Sequence, residues 1–230
     1  MLISNSTMYG GDYLAHCREG LAEILEGRKT LLFVPYALAD HDGYAAKAAE
    51  GLALIDVDVE SIHTAPDPMS AVRSAEAIFI GGGNTFRLLK TLYEKGLLDP
   101  IRERVREGVP YLGSSAGSNV ACATIRTTND MPIVEPPSFD ALGLVPFNLN
   151  PHYQDPEPSS RHMGETREER IVQFLEENDR IVVGLREGAW LRVEDDQMTL
   201  EGTTGARIFR RGTEPAEHQR GERLDWVLED

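Results

Sequence analysis

The chain has 230 residues, 41% of them hydrophobic, which suffices for the packed core of one domain spanning residues 1–230. Its 23 Lys and Arg stand against 38 Asp and Glu, and the formal charge of −15 argues against nucleic acid or a membrane surface as a partner. With no long apolar run and no basic leader, the chain is expected to be soluble and cytoplasmic. Cys17 and Cys122 lack CxxC spacing, so neither a disulfide framework nor a structural zinc site is predicted.

Short apolar runs alternate with segments of helical spacing, a pattern typical of a three-layer α/β fold whose mostly parallel central sheet is flanked by helices. Strands are predicted at residues 1–4, 30–35, 57–63, 77–80 and 110–113, and helices at 13–26, 44–52, 68–74, 85–93 and 166–176. A long irregular stretch covers residues 126–146. Runs at 181–183, 190–193 and 198–200 predict a small antiparallel C-terminal meander, and the polar tail from about residue 211 is expected to be loosely ordered.

The segment Gly113-Ser114-Ser115-Ala116-Gly117 lies between a strand-like run and a helix-like run and has the pattern of a nucleophile elbow. Small residues on both sides of the central serine allow a turn so sharp that its hydroxyl is exposed from a strained backbone. Ser115 is therefore the predicted nucleophile. A serine hydroxyl is weakly nucleophilic, so the hypothesis also requires a base, an acid that orients the base, and oxyanion donors.

A second loop, Gly81-Gly82-Gly83-Asn84, follows the strand at 77–80 and is expected beside the elbow at the carboxyl edge of the sheet. An N–H from Gly83 or its neighbour, together with the N–H of Ala116, is the predicted oxyanion hole. Phosphate binding is disfavoured because the spacing is neither G-x-G-x-x-G nor that of a P-loop. A tight strand-to-helix turn without a chemical role is the structural alternative.

Among the six histidines, His152 is the predicted base, because the segment containing it follows a strand-like run downstream of the elbow. Asp130 and Glu187 are the two candidates for the acid, and either could hold His152 in its working tautomer. Their surroundings in the sequence leave this choice open.

Five motifs then occur in one order: Ile80–Phe86, Gly113–Asn119, Thr124–Pro132, Asn150–His152 and Gly164–Glu168. Together they resemble the peptidase E family of α-aspartyl dipeptidases, from the segment Ser4-Asn5-Ser6-Thr7 to about Trp190. The resemblance implies a hydrolase of the serine protease type, related to cyanophycinases, with a fold similar to class I glutamine amidotransferases. A cysteine holds the elbow position in those amidotransferases. Since Ser115 holds it here, Cys122 is expected to be a buried helix residue.

The resemblance further implies cleavage of a small peptide, a dipeptide Asp-Xaa, without metal or cofactor. The nucleophile and the histidine of the family fall on Ser115 and His152. The third member matches Asp130 or Glu187, and we favour Glu187 because a short loop after a strand fixes a carboxylate beside a histidine at a neighbouring strand end. Asp130 would then shape the pocket.

Recognition of an aspartyl side chain requires a cation with planar donors. Arg167 at the start of its helix is the predicted residue, with Arg126 as the second choice, and Asn84 is a further candidate for substrate contact. Two departures from the family bear on the substrate range: the loop 154–163 matches weakly, and Ser114 stands where a larger aromatic residue is common.

Three alternatives remain from other classes. A cyanophycinase-like or β-aspartyl peptide hydrolase would keep the same nucleophile in a wider cleft. A non-catalytic amidotransferase-like binding protein would not need Ser115, His152 and a third acid together. An α/β-hydrolase esterase would have these groups in the observed chain order, but about twenty residues between Asp130 and His152 is short for that fold. Assembly into a homo-oligomer is left open.

Overall fold

The computed structural model describes residues 1–156, 159, 161 and 163–229. The strands are β1 (Leu2–Ile3), β2 (Thr30–Val34), β3 (Asp58–Ser61), β4 (Ile78–Ile80), β5 (Tyr111–Ser114), β6 (Asn148–Pro151), β7 (Val182–Leu185), β8 (Ala189–Glu194), β9 (Gln197–Gly202), β10 (Ala206–Phe209) and β11 (Ala216–His218). The helices are α1 (Arg18–Ile24), α2 (His41–Leu52), α3 (Pro68–Ser74), α4 (Thr85–Glu94), α5 (Leu98–Arg106), α6 (Ala116–Ala121) and α7 (Arg167–Glu177). None of these described helices has the length and apolar character of a membrane span.

Two sheets organise the described part of the chain. The larger has seven strands in the order β3-β2-β4-β5-β1-β8-β9, and its strands from β3 to β1 are parallel. The smaller has the order β11-β10-β7-β6, in which β6 and β7 are parallel and the other pairs antiparallel. The predicted class, an α/β fold with a mostly parallel sheet and antiparallel C-terminal strands, is confirmed.

Alternating side chains of the large sheet pack on its two faces. Leu32 and Val34 of β2 belong to an apolar cluster shared with α3, α4, α5 and α6. Leu31 and Phe33 belong to a second cluster, shared with α1 and α2. Burial on both faces explains why the central strands are continuous apolar runs in the sequence rather than alternating ones.

Helix α5 is an element for which no prediction was made from the sequence. Its segment is rich in charge and contains Pro100, which obscures the helical pattern. The proline occupies the third helical position, where a missing N–H removes no intrahelical hydrogen bond. Leu98 and Ile101 are buried on one face, so a short apolar stripe is sufficient to anchor the helix.

The C-terminal segment differs from its prediction in two ways. Strand β7 lies in the small sheet beside β6, whereas β8 and β9 extend the large sheet, so the three predicted runs do not form one meander. The expectation of a loosely ordered tail is wrong, because β11 pairs with β10 and a 3₁₀ turn follows at Asp225–Leu228. Leu224 and Val227 are buried, and these two apolar side chains secure an otherwise polar segment.

The carboxyl ends of several strands meet at one edge. In the large sheet, β4 leads into Gly81–Asn84 and β5 into Ser115. In the small sheet, β6 ends directly before His152 and β7 ends two residues before Glu187. Open α/β sheets bind ligands at this edge, where strand ends leave side chains and backbone N–H groups exposed.

Candidate active site

Ser115 occupies a strained turn between β5 and α6. Its backbone has φ 51° and ψ −105°, a conformation that L-residues rarely adopt. A Cβ at Gly113 would lie 2.6 Å from the carbonyl oxygen of Gly117, and a Cβ at Gly117 would collide with the carbonyl oxygen of Ile80. The small residues that the sequence pattern singled out are therefore sterically required for the turn.

A hydrogen-bonded line connects Ser115, His152 and Glu187. The Nε2 atom of His152 lies 3.0 Å from Ser115 Oγ, and its Nδ1 atom lies 2.7 Å from Glu187 Oε1. A carboxylate at Nδ1 holds the proton on that nitrogen, which leaves Nε2 as an acceptor for the serine hydroxyl. The His152 and Glu187 side chains are 36% and 49% exposed, so a small molecule has access to the line.

Asp130, the other candidate acid, has different partners. Its Oδ2 atom accepts hydrogen bonds from the N–H of Thr85 at 2.8 Å and from the hydroxyls of Thr85 and Thr128 at 2.6 and 3.2 Å. Among the described residues it makes no hydrogen bond to His152. Asp130 thus holds the start of α4, and with it the glycine loop that precedes this helix.

The glycine loop passes directly beside the elbow. A Cβ at Gly82 would lie 3.2 Å from Ser115 Cβ, and Gly83 adopts φ 132°, where a Cβ would lie 2.7 Å from the carbonyl oxygen of Ala37. Within the described chain, the N–H groups of Gly83 and Ala116 have no recorded acceptor. The glycine loop therefore borders the turn that carries Ser115.

Asn84 ends the glycine loop and caps α4. Its Oδ1 accepts from the N–H of Arg87 at 3.0 Å, and its Nδ2 donates to the carbonyl oxygen of Met131 at 2.9 Å. The side chain therefore joins the glycine loop to the loop after Asp130. A substrate contact by Asn84 would share or replace one of these hydrogen bonds.

Arg167 is the first residue of α7, a helix that begins with a capping box formed by Thr166 and Glu169. Burial lowers the pKa of the Arg167 guanidinium and the nearby Arg170 lowers it further, whereas the carboxylates of Asp130 and Glu187 raise it. No ion pair of Arg167 is recorded with any described residue. Arg167 is thus a half-buried cation within the electrostatic field of Glu187.

Arg126 lies in a neighbouring groove. Its guanidinium stacks 5.4 Å from the centre of the Phe139 ring and donates to Thr124 Oγ1 at 3.2 Å. The groove, with a volume of about 430 Å³, is also lined by Phe86 and Arg170. The Arg126 side chain therefore contacts Thr124 and Phe139, whereas Arg167 is within electrostatic reach of Glu187.

Three buried polar residues around the site had no role predicted from the sequence. Thr85 binds Asp130, while Ser4 and Asn5 follow β1 and bind the segments that carry His152 and Glu187. All three are at most 1% exposed. For Ser4 and Asn5 the available signal was their position, since polar residues immediately after a buried strand face the carboxyl edge of the sheet, whereas Thr85 lies at the start of α4.

Both cysteines are buried free thiols, and burial raises the pKa of Cys17 and of Cys122 to about 12. Thiols react as thiolates, so N-ethylmaleimide at pH 8 is expected to leave both unlabelled in the native protein. Mass spectrometry before and after unfolding in urea measures this, with full labelling expected in urea and hydrolytic activity retained in the native sample. Rapid labelling of native Cys122 with loss of activity would contradict the assignment of this residue as a core side chain.

A hydroxyl, an imidazole and a carboxylate in line at the carboxyl edge of an α/β sheet form the arrangement of serine hydrolases. The described side chains include no group of three His, Cys, Asp or Glu arranged to hold a metal ion. The geometry therefore defines the class as an α/β protein with a serine hydrolase site.

Known proteins narrow this class to a family. Residues 1–201 match Peptidase family S51. A Peptidase E of Streptomyces coelicolor is 54% identical over 229 residues, which cover 100% of this chain and 94% of that protein. A probable alpha-aspartyl dipeptidase of Drosophila melanogaster is 53% identical over 213 residues, which cover 91% of this chain and 89% of that protein. The chain belongs to peptidase family S51, a family of serine-type peptidases.

Solved structures share the fold. A peptidase from an acI-B1 Actinobacterium superimposes with a TM-score of 0.73 at 18% identity, covering 96% of this chain and 94% of that one. A peptidase E candidate from Listeria monocytogenes EGD-e has a TM-score of 0.58 at 23% identity, with coverages of 88% and 92%. At these identities the likeness concerns the fold alone.

Proposed function

We propose that residues 1–230 form a single peptidase domain that hydrolyses dipeptides with an N-terminal aspartate through an acyl-enzyme on Ser115. The main support for this mechanism is the hydrogen-bonded line Glu187–His152–Ser115. His152 Nδ1 lies 2.7 Å from Glu187 Oε1, and His152 Nε2 lies 3.0 Å from Ser115 Oγ. The names of the relatives, Peptidase E and probable alpha-aspartyl dipeptidase, support the substrate class. Two free thiols and no disulfide among the described residues favour a cytoplasmic location.

Acylation begins when Ser115 Oγ attacks the peptide carbonyl carbon and His152 Nε2 accepts the hydroxyl proton. The Glu187 carboxylate stabilises the imidazolium that forms. The N–H groups of Gly83 and Ala116 bind the developing oxyanion, and each such donor contributes about 3 kcal/mol of transition-state stabilisation. His152 then donates its proton to the leaving amine as the C–N bond breaks, which leaves an aspartyl ester on Ser115.

Deacylation repeats these steps with water. His152 Nε2 accepts a proton from the water molecule as the water oxygen attacks the ester carbonyl carbon. The same N–H groups hold the second oxyanion. Proton return to Ser115 Oγ breaks the ester bond and releases aspartate, so the complete cycle requires only the peptide and water.

Selectivity for aspartate is assigned to Arg167. Its guanidinium is half-buried, faces repulsion from Arg170, and has no recorded ion pair within the described ranges, so an anionic substrate group stabilises it. A planar guanidinium binds a carboxylate through two parallel hydrogen bonds. Asp130 shapes the pocket through Thr85, and Asn84 remains a candidate contact at its border.

Substitution of Arg167 by lysine is expected to reduce the preference for Asp-Leu over Asn-Leu at least about tenfold, because the charge remains while the bidentate geometry is lost. The ratio of the two kcat/KM values measures this. Arg170→Lys, one turn along the same helix on an exposed side chain, is the matched control and should keep the ratio. A wild-type ratio of the two kcat/KM values in the Arg167 variant would contradict the assignment of Arg167 as the residue that recognises the aspartyl side chain.

The proposed function is tested with Asp-Leu, Glu-Leu, Asn-Leu and β-Asp-Leu under identical conditions in EDTA. Selective cleavage of Asp-Leu is expected, because the pocket holds a cation and the site needs no metal for the steps above. Equal cleavage of Asn-Leu would contradict the aspartyl specificity. Preferential cleavage of β-Asp-Leu would replace it with a β-aspartyl hydrolase of the cyanophycinase kind.

A further inference from the structure

The end of β1 lies at the centre of the candidate site. This strand runs between β5, which leads to Ser115, and β8, which follows Glu187. The two residues after β1, Ser4 and Asn5, are polar but only 0% and 1% exposed. Buried polar side chains are retained where their hydrogen bonds hold something in place, so their partners indicate what they do.

Three consecutive residues hold the three members of the Ser115–His152–Glu187 line. The carbonyl oxygen of Ile3 accepts from the N–H of Ser115 at 2.9 Å. Ser4 Oγ accepts from the N–H of His152 at 2.9 Å, and Asn5 Oδ1 accepts from the N–H of Gly188, the residue after Glu187, at 2.7 Å. One short segment thus binds the backbone beside each reacting or orienting group.

The Ser4 hydroxyl is both a hydrogen-bond acceptor and a hydrogen-bond donor. Besides accepting from His152, it donates to the carbonyl oxygen of Leu185, the last residue of β7, at 2.7 Å. His152 has φ 54°, an unfavourable conformation for a residue with a side chain, which persists only where the surroundings impose it. The hydrogen bond that the His152 N–H donates to Ser4 Oγ opposes relaxation of this backbone and so maintains the direction of the imidazole.

Asn5 binds the turn that carries Glu187. While its Oδ1 holds Gly188, its Nδ2 donates to the carbonyl oxygen of Thr7 at 3.0 Å and to Met8 Sδ at 3.1 Å. The turn that carries Glu187 is thereby tied to the loop after β1. Thr204 Oγ1 donates to the carbonyl oxygen of Glu187 at 2.7 Å and provides the second anchor of this turn.

We propose that Ser4 and Asn5 are positioning residues of the hydrolytic site, Ser4 for His152 and Asn5 for Glu187, neither of them in contact with the reacting atoms. The proposal rests on the proposed function, since it assigns a kinetic consequence to the distances within the Ser115–His152–Glu187 line. A misplacement of about 1 Å is sufficient to reduce turnover about 100-fold.

Ser4→Ala is therefore expected to lower kcat for Asp-Leu about 100-fold with little change in KM, because alignment for attack is lost while the pocket remains. The proton between His152 Nδ1 and Glu187 is expected to give a ¹H NMR signal far downfield, and this signal should weaken or shift in the variant. Ser4→Cys retains a weak donor and acceptor and should restore part of kcat. Ser61→Ala, at the end of β3, is the control for loss of a partly buried serine hydrogen bond and should keep wild-type kcat.

Asn5 gives an independent pair of variants. Asn5→Asp keeps an oxygen for the N–H of Gly188, whereas Asn5→Ala removes it, so kcat should be higher for the aspartate variant. This comparison decides the question if Ser4→Ala does not fold. The positioning role would be overturned if folded Ser4→Ala kept wild-type kcat and an unchanged NMR signal. It would also be overturned if the two Asn5 variants had equal kcat. Activity that survives in Ser115→Ala would instead overturn the proposed function.

Discussion

Replacement of Ser115 by alanine is expected to lower kcat for Asp-Leu roughly a million-fold, the magnitude typical of removing the nucleophile from a hydroxyl–imidazole–carboxylate site. The reason is that no other described hydroxyl lies within hydrogen-bond distance of His152 Nε2. The N–H groups of Gly83 and Ala116 would remain, so weak residual catalysis through oxyanion stabilisation is expected. Initial rates over long incubations, with purified variant and substrate in excess, measure the loss.

The Ser115 variant should fold normally. Its backbone N–H still donates to Ile3 and its carbonyl oxygen still accepts from Asn119, because neither bond involves the hydroxyl. Thermal unfolding and binding of Asp-Leu therefore serve as controls, and both should resemble the wild type. Undiminished hydrolysis by the folded variant would mean that the elbow is only a structural turn.

Glu187→Gln is expected to lower kcat by between about 10²- and 10⁴-fold, because an amide can present its N–H₂ group to His152 and favour the wrong tautomer. The lower bound reflects exposure of the Glu187 side chain, since water can partly replace the carboxylate. Steady-state kinetics on Asp-Leu measures this loss, with KM expected to change less than kcat.

Asp130→Asn is the matched comparison, an equally conservative change in the other candidate acid. Its expected effect is lower stability, by about 1–3 kcal/mol, since a charged acceptor for Thr85 and Thr128 becomes neutral. Turnover should fall less than in the Glu187 variant, because the effect passes through the glycine loop. The opposite order, with Asp130→Asn inactive and Glu187→Gln active, would give the orienting role to Asp130.

The elbow was predictable because its steric requirement is local. A strand that turns into a helix within one residue needs small neighbours at Gly113 and Gly117, and that need is met within five consecutive positions. The parallel α/β class was predictable for a related reason, since buried strands and amphipathic helices have different apolar periods. Both properties follow from a residue and its near neighbours along the chain.

The partner of His152 depends instead on strand pairing. Strand β6 pairs in parallel with β7, with Pro151 opposite Leu185, and this register brings the residues after the two strands together. No local pattern encodes that pairing, and β7 was expected in a meander with β8. The sequence therefore favoured Glu187 over Asp130 only through its position in a short loop after a strand, whereas the fold gives the two carboxylates different partners.

The supporting residues were missed for a similar reason. Ser4 is separated from His152 by 148 positions and from Leu185 by 181, so its two hydrogen bonds exist only in the folded chain. The tail was misjudged because Leu224 and Val227 are sparse in a polar segment, although both reach the core. In each case the structure of a segment depends on one or two side chains whose contacts are made elsewhere in the chain, so its overall composition is a poor guide.

The proposed reaction passes through an aspartyl ester on Ser115. The most direct measurement is mass spectrometry of the enzyme mixed with an activated aspartyl ester, quenched in acid during turnover and digested. We expect the peptide that contains Ser115 to gain the mass of one aspartyl residue, and this gain to be absent in the Ser115→Ala variant. Turnover of the ester with no adduct at any time, or with the adduct on another residue, would contradict the acyl-enzyme mechanism.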